Sequence, residues 1–276
     1  MLRRDGGAVM LCRQGFGHSV SLRLIRLIFA ALATAGIAGS ALGQTIAADV
    51  PLPTGSERVL LSAPAQPRAV LIMLPGGDGI VDIGQTAAAG RLSLNFLVRT
   101  LPLWVAQGFA VAILGAPDNR SLLGQRHTPG YAAAIDRAID FARSRAAGPV
   151  WLVGTSQGST AAANGAARLA GRIAGVVLTS SVTRQNSSGE TVFDANPAAI
   201  SVPALIVANQ GDTCAVTPAA DAAVLAGYLT RSPRKEVILV QSSDSDPRSP
   251  PCEAMSPHGF YGIEGMAVQR IAGWVR

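Results

Sequence analysis

The segment 148–169 constrains the fold more than any other, because in it a tight five-residue turn joins a strand pattern directly to a helix pattern. Residues 150–153 form a short apolar run with two valines, which is typical of a buried strand. The turn GTSQG follows at residues 154–158, and an alanine-rich helix is predicted over 159–169. Glycine stands two residues before and two residues after Ser156, at positions where a side chain would collide with its neighbours in so tight a turn.

A strand, a G-x-S-x-G turn and a helix in this order are the pattern of a nucleophile elbow, which holds its serine clear of the sheet. Backbone N–H groups at the start of the helix have no partner within the helix. They can therefore face the negative charge that develops on a reacting oxygen. Ser156 is the candidate nucleophile, and the alternative is a glycine-rich turn that only packs.

A serine nucleophile needs a general base, and histidine is the usual base near neutral pH. The chain contains three histidines. His18 lies in the N-terminal segment, and His127 lies in a polar loop, where a capping or surface role is expected. His258 lies between the last predicted strand and the last predicted helix, and it is the candidate base.

The candidate for the acid that orients this base is Asp212, in the turn that follows a strand-like run. The carboxyl ends of parallel strands meet at one edge of a sheet, so this turn and the elbow are expected to lie close together. Asp244 and Asp246, in a loop rich in serine and proline, remain alternatives. Asp194, which follows the preceding strand, is a further alternative.

Strand and helix patterns alternate along the chain, which predicts a mostly parallel sheet covered by helices on both faces. The first two strands are joined by a short turn and are expected to be antiparallel to each other. Pro102 must kink or split the helix in which it stands. Strands are predicted over 58–62, 69–74, 109–114, 150–153, 173–178, 204–208 and 236–240, and helices over 94–107, 131–145, 159–169, 218–229 and 261–275.

This order of elements, with GTSQG after a central strand, resembles the α/β-hydrolase fold over about residues 57–276. The resemblance is closest to small secreted bacterial esterase-like serine hydrolases. It implies a single-domain catalytic region with a mostly parallel central sheet, helices on both faces and a small or absent lid at residues 182–201. In that fold the nucleophile, the acid and the histidine follow one another along the chain, as Ser156, Asp212 and His258 do here.

Acyl transfer also needs an oxyanion hole, in which two backbone N–H groups lie about 3 Å from the reacting oxygen. The resemblance implies that Gln157, the residue after the nucleophile, supplies one of them. The other is expected from Gly77 or Gly76, in the glycine-rich loop after an early strand. Pro75 has no N–H group and cannot be a donor, and Gly77 is the first choice.

The N-terminal segment 1–43 is predicted to be a secretory signal peptide. A basic stretch precedes a run without charges, and small residues before Gln44 predict a cut there, with the true start at Met1 or Met10. The alternative is an uncleaved membrane anchor. Residues 44–56 are then an N-terminal extension of the mature chain and residues 57–276 the catalytic domain, in the periplasm or outside the cell.

Cysteine usage agrees with export. Cys12 lies in the signal segment, so Cys214 and Cys252 remain as one possible pair, and an oxidising compartment favours a disulfide bond between them. The alternative is two reduced, buried thiols. A bridge would join the loop of Asp212 to the loop of His258, and closing this ring would contribute about 4 kcal/mol.

The charge of the chain argues against nucleic-acid binding. The net charge is +6, but residues 1–43 carry +4 of it, and Lys235 is the only lysine. No basic run is present outside that segment. The spacings typical of metal ligands and of cofactor or phosphate binding are also absent from the sequence, so neither a metal nor a cofactor is expected.

These patterns predict a serine hydrolase that cleaves small or short-acyl carboxylic esters through an acyl-enzyme. The expected partner is a small-molecule ester, with no nucleic acid and with no membrane once the signal is removed. An amidase, peptidase or perhydrolase would use the same residues, and a non-catalytic binding protein could keep the same scaffold.

Overall fold

A computed structural model describes residues 44–85, 87, 90 and 93–275. The predicted signal peptide, residues 1–43, lies outside the described residues. None of the helices in the described part of the chain has both the length and the apolar character that a membrane span requires.

The described residues form one eight-stranded sheet in the order β1-β2-β4-β3-β5-β6-β7-β8. The six strands from β3 to β8 are parallel to one another, and β2 is antiparallel to both of its neighbours. The strands are β1 (Gln44–Pro51), β2 (Ser56–Ala63), β3 (Ala69–Leu74), β4 (Phe109–Leu114), β5 (Val150–Thr155), β6 (Gly175–Thr179), β7 (Ala204–Asn209) and β8 (Lys235–Val240).

In the described part of the chain, six α-helices cover the two faces of this sheet. They are α1 (Phe96–Arg99), α2 (Leu101–Ala106), α3 (Pro129–Arg143), α4 (Gln157–Arg168), α5 (Asp221–Tyr228) and α6 (Glu264–Trp274). The apolar sides of α3, α4 and α5 pack in the core on one face, and those of α1, α2 and α6 pack in the core on the other. The central strands are buried along their whole length, as expected for a parallel sheet covered on both sides.

The sequence predicts this alternation and most of the element bounds, and three details differ. The sheet begins earlier, because residues 44–51 pair with β2 as an edge strand. The antiparallel orientation expected for the first two predicted strands holds, but β4 lies between them. The predicted helix over 94–107 is split at Thr100, and Pro102 stands in the first turn of α2, where its missing N–H group is tolerated.

The parallel strands bring their carboxyl ends to one edge of the sheet. The glycine loop follows β3 there, the elbow follows β5, and the Asp212 turn follows β7. Segment 182–201, where the resemblance places a small lid or none, contains two short 3-10 turns, Val192–Ala195 and Pro197–Ala199.

Candidate active site

Ser156 stands between β5 and α4 with φ 53° and ψ −128°, a conformation rare for a residue with a side chain. Its N–H group donates to the carbonyl oxygen of Thr179 on β6 at 3.0 Å. The turn has no room for a side chain at Gly154, where an added Cβ would lie 2.2 Å from the carbonyl oxygen of Gly158. Strained backbone of this kind, held by its surroundings, is typical of functional positions.

Asp212 and His258 are in direct contact, with 3.0 Å between Oδ2 of the carboxylate and Nδ1 of the ring. Both side chains are almost completely buried. The backbone N–H group of Cys214 donates to Oδ1 of Asp212 at 2.8 Å. The carboxylate is therefore held by its own turn on one side and faces the imidazole ring on the other.

The His258 loop is fixed by hydrogen bonds to two other strand ends. The Ser180 hydroxyl group, after β6, donates to the carbonyl oxygen of His258 at 2.8 Å. The Asn209 side chain, at the end of β7, donates to the carbonyl oxygen of Pro257 at 2.9 Å. The position of the ring is thus set by the sheet edge that also carries the elbow.

A cavity of about 1000 Å³ lies at this edge. Ser156, Gln157, Gly77 and His258 all line it, so the structure brings these four predicted site residues together. Gly76 lies against the elbow, because an added Cβ there would be 2.8 Å from the Cβ of Ser156. The glycine loop after β3 and the start of α4 therefore meet at the serine.

The alternative acids have other environments. Asp194 caps the 3-10 turn Val192–Ala195, to which it belongs. Asp246 is paired with Arg248, whose hydrogen bonds lower the pKa of the Asp246 carboxyl group. Asp244 is exposed to solvent. Of the four candidate acids, Asp212 is the one placed against His258.

Solved structures match the chain over most of its length. A serine hydrolase homologue from Coxiella burnetii matches with a TM-score of 0.58 and 14% identity, over 83% of this chain and 97% of that one. A cold-adapted esterase from an Arctic intertidal metagenomic library matches with a TM-score of 0.57 and 14% identity, over 85% of this chain and 95% of that one. A serine hydrolase without a lid, from Xanthomonas campestris, matches with a TM-score of 0.53 and 12% identity, over 83% of this chain and 95% of that one.

The chain has the α/β-hydrolase fold. No family model matches the sequence, and no curated protein is significantly similar to it. The matched structures share so few residues with this chain that the hydrolase fold alone follows from them, and the function must be argued from the site.

One buried charge beneath the glycine loop of this hydrolase fold was not predicted from the sequence. The guanidinium group of Arg126 is fully buried and donates to the carbonyl oxygen of Gly77 at 2.9 Å. Burial lowers the pKa of Arg126, and the Glu190 carboxylate lies 3.9 Å away. His127 is 2.9 Å from the same carboxylate, so it links this buried group to the surface. An arginine and a glutamate 64 positions apart give no local signal of such a contact.

The structure contains the disulfide bond between Cys214 and Cys252. Segment 246–255, which carries Cys252, lines one wall of the cavity, while Cys214 directly follows the Asp212 turn. Within the described part of the chain, one cluster of metal-binding side-chain types stands out, and it consists of Asp212, Cys214 and His258. The Cys214 sulfur is bonded to Cys252 and is not a free thiolate, so this set does not suit a metal ion.

Proposed function

We propose that this protein is a serine hydrolase that cleaves small or short-acyl carboxylic esters, with Ser156 as nucleophile, His258 as general base and Asp212 as orienting acid. The observation that carries the proposal is the Asp212–His258 contact of 3.0 Å at a cavity that Ser156 also lines. The hydrolases and the esterase matched above support the same class of reaction.

Acylation begins when Oγ of Ser156 attacks the ester carbonyl carbon and Nε2 of His258 takes the hydroxyl proton. The carbonyl oxygen becomes an oxyanion that faces the N–H groups of Gln157 and Gly77. When the carbon–oxygen bond to the alcohol breaks, His258 returns the proton to the leaving alcohol. The acyl group is then bound to Ser156 as an ester.

Deacylation repeats these steps with water as the nucleophile. His258 takes a proton from the water as it attacks the acyl carbon, and then gives the proton to Oγ of Ser156 as the acid leaves. Asp212 accepts a hydrogen bond from Nδ1 throughout, which keeps Nε2 free to exchange protons with the reacting groups. The described part of segment 182–201 contains two short 3-10 turns, and a cap of this size supports a small substrate.

A fluorophosphonate probe tests the nucleophile. We expect the wild-type protein to be labelled, and Ser156→Ala to lose labelling and about 10⁴-fold or more of its ester hydrolysis while its circular dichroism spectrum is unchanged. Ser187→Ala is the matched control, because Ser187 lines the same cavity and is exposed. Its activity should stay near that of the wild type.

Hydrolysis of p-nitrophenyl esters of increasing acyl length, beside the matching anilides, tests the substrate class. We expect short esters to be cleaved fastest and anilides slowly. Labelling or hydrolysis that persists in Ser156→Ala would exclude Ser156 as the nucleophile. Faster cleavage of anilides than of esters would favour an amidase.

We also propose that the protein is exported, through cleavage of a signal peptide before Gln44, to the periplasm or the exterior of the cell. The disulfide bond supports this, because such bonds persist in oxidising compartments. The basic and then uncharged character of residues 1–48 supports it as well.

A further inference from the structure

Three polar side chains, those of Asp212, Thr217 and His258, contact one another at this site. The sequence predicts only the contact between Asp212 and His258. Oγ1 of Thr217 lies 2.9 Å from Oδ2 of Asp212 and 3.0 Å from Nδ1 of His258. The same Oδ2 and Nδ1 atoms are 3.0 Å apart. The three atoms form a nearly equilateral triangle in which Thr217 is 2% exposed, so water does not compete for these contacts.

The chemistry of the three groups fixes where the protons lie. A carboxylate only accepts, so Nδ1 of His258, which lies 3.0 Å from Oδ2 of Asp212, must carry a hydrogen and donate it. The hydroxyl proton of Thr217 cannot then point to Nδ1 and is donated to Oδ2 of Asp212, while the hydroxyl oxygen accepts a share of the Nδ1 hydrogen. This arrangement selects the tautomer in which Nε2 is unprotonated and available as a base.

Thr217 also fixes the carboxylate independently of the histidine. Oδ1 of Asp212 accepts from the N–H group of Cys214, and Oδ2 accepts from Thr217, so both oxygens are bound within one turn. The N–H group of Thr217 donates to the carbonyl oxygen of Cys214 at 3.2 Å, which closes the same turn. The carboxylate is therefore held by its own turn independently of the His258 loop, in which His258 stands 41 residues after Thr217.

We infer that Thr217 is a positioning residue of this site, whose hydroxyl group orients the Asp212 carboxylate and holds His258 in the tautomer that acts as a base; the inference rests on the function proposed above. Thr217 does not belong to the described residues that line the cavity, so it is not expected to contact the substrate. Its removal should therefore slow the chemical steps and leave substrate binding unchanged.

The test compares Thr217→Val, which keeps the shape and removes the hydroxyl group, with Thr217→Ser, which keeps the hydroxyl group. For Thr217→Val we expect kcat to fall up to about 100-fold with KM unchanged, since small displacements of a base are costly. Thr217→Ser should recover most of kcat. The matched control is Thr160→Val, because the Thr160 hydroxyl group is buried without a partner among the described residues.

Proton NMR of the His258 Nδ1–H group supplies a measurement that does not depend on activity. We expect its resonance to move and its exchange with water to quicken in Thr217→Val, and to stay as in the wild type in Thr217→Ser and Thr160→Val. An unchanged resonance in Thr217→Val, or an equal loss of kcat in Thr217→Val and Thr160→Val, would overturn the inference. A wild-type protein that neither hydrolyses esters nor reacts with a fluorophosphonate would overturn the proposed function instead.

Discussion

Glu57 is a buried carboxyl group that does not line the cavity of Ser156 and His258. It lies on β2 with no exposed surface, and neither of its carboxyl oxygens has a hydrogen-bond partner among the described residues. Burial raises the pKa of Glu57 from an ordinary value of 4.5 to about 8. The native protein therefore holds a proton on Glu57 at neutral pH, while the unfolded chain releases it.

This difference makes the free energy of unfolding depend on pH. Below pH 4.5 the carboxyl group is mainly protonated in both states, so its ionisation does not change the free energy of unfolding. As the pH rises from 4.5 toward 8, the carboxyl group ionises in the unfolded state but not in the native state, which lowers the free energy of unfolding. This loss of stability is complete above pH 8 and amounts to at most about 5 kcal/mol. We expect Glu57→Gln, which cannot ionise, to lose much less stability than the wild type between pH 5 and pH 9 in urea unfolding experiments.

Glu253→Gln is the control for this experiment, because Glu253 is a glutamate whose side chain is exposed to solvent. It should follow the wild-type pH profile. Parallel profiles for Glu57→Gln and the wild type would show that Glu57 ionises normally in the folded protein.

Single residues of the site differ in how far the sequence predicts them. Ser156 stands in a local pattern, and His258 and Asp212 were selected by their order along the chain and their places after predicted strands. Thr217 and Arg126 carry no such pattern, because their roles come from contacts with residues brought near by the fold. A hydroxyl or guanidinium group shows its function only when its partners are known.

At the scale of elements, the elbow depends on the close approach of α4 to β3. An added Cβ on Gly158 would lie 1.9 Å from the carbonyl oxygen of Leu74, a backbone atom that cannot move aside by rotation of a side chain. The first turn of α4 therefore packs directly against the end of β3. Any side chain at Gly158 must separate the two elements, and with them Ser156 from the glycine loop.

We expect Gly158→Ala to destabilise the protein by about 2 kcal/mol or more and to lower kcat, since overpacking shifts the backbone at the serine. Gly227→Ala is the matched control, because Gly227 is also helical and an added Cβ meets nothing within 4 Å. There, alanine should stabilise α5 by about 0.5 to 1 kcal/mol. Thermal unfolding and ester hydrolysis of both variants provide the measurements, and equal effects would contradict the steric argument.

The elements that the sequence did not predict lack a distinctive pattern. Strand β1 is an edge strand whose residues are mostly exposed or half-buried, so it has no clear apolar alternation. The place of β4 between β2 and β3 is a matter of which strands pair across the sheet, and no single segment of the sequence carries that information. The buried strands were predicted closely, because burial on both faces requires continuous apolar runs.

For the whole molecule, the proposed export makes a prediction about the mature chain. Intact mass spectrometry of the protein from its native host should give a chain that begins at Gln44 and has no free thiol. The reason is that Cys12 is removed with the signal while Cys214 and Cys252 are joined. A chain that keeps residues 1–43, or that has two alkylatable thiols before reduction, would contradict the proposal.

The bond between Cys214 and Cys252 has a consequence for when the proposed active site becomes complete. In a reducing cytosol the two thiols stay separate, so the cavity wall formed by segment 246–255 is not yet fastened to the turn that carries Asp212. On the proposed route, the bond forms only after the chain has left the cell interior. Inside the producing cell the proposed active site would then lack this bond, and full activity toward esters would begin only after export.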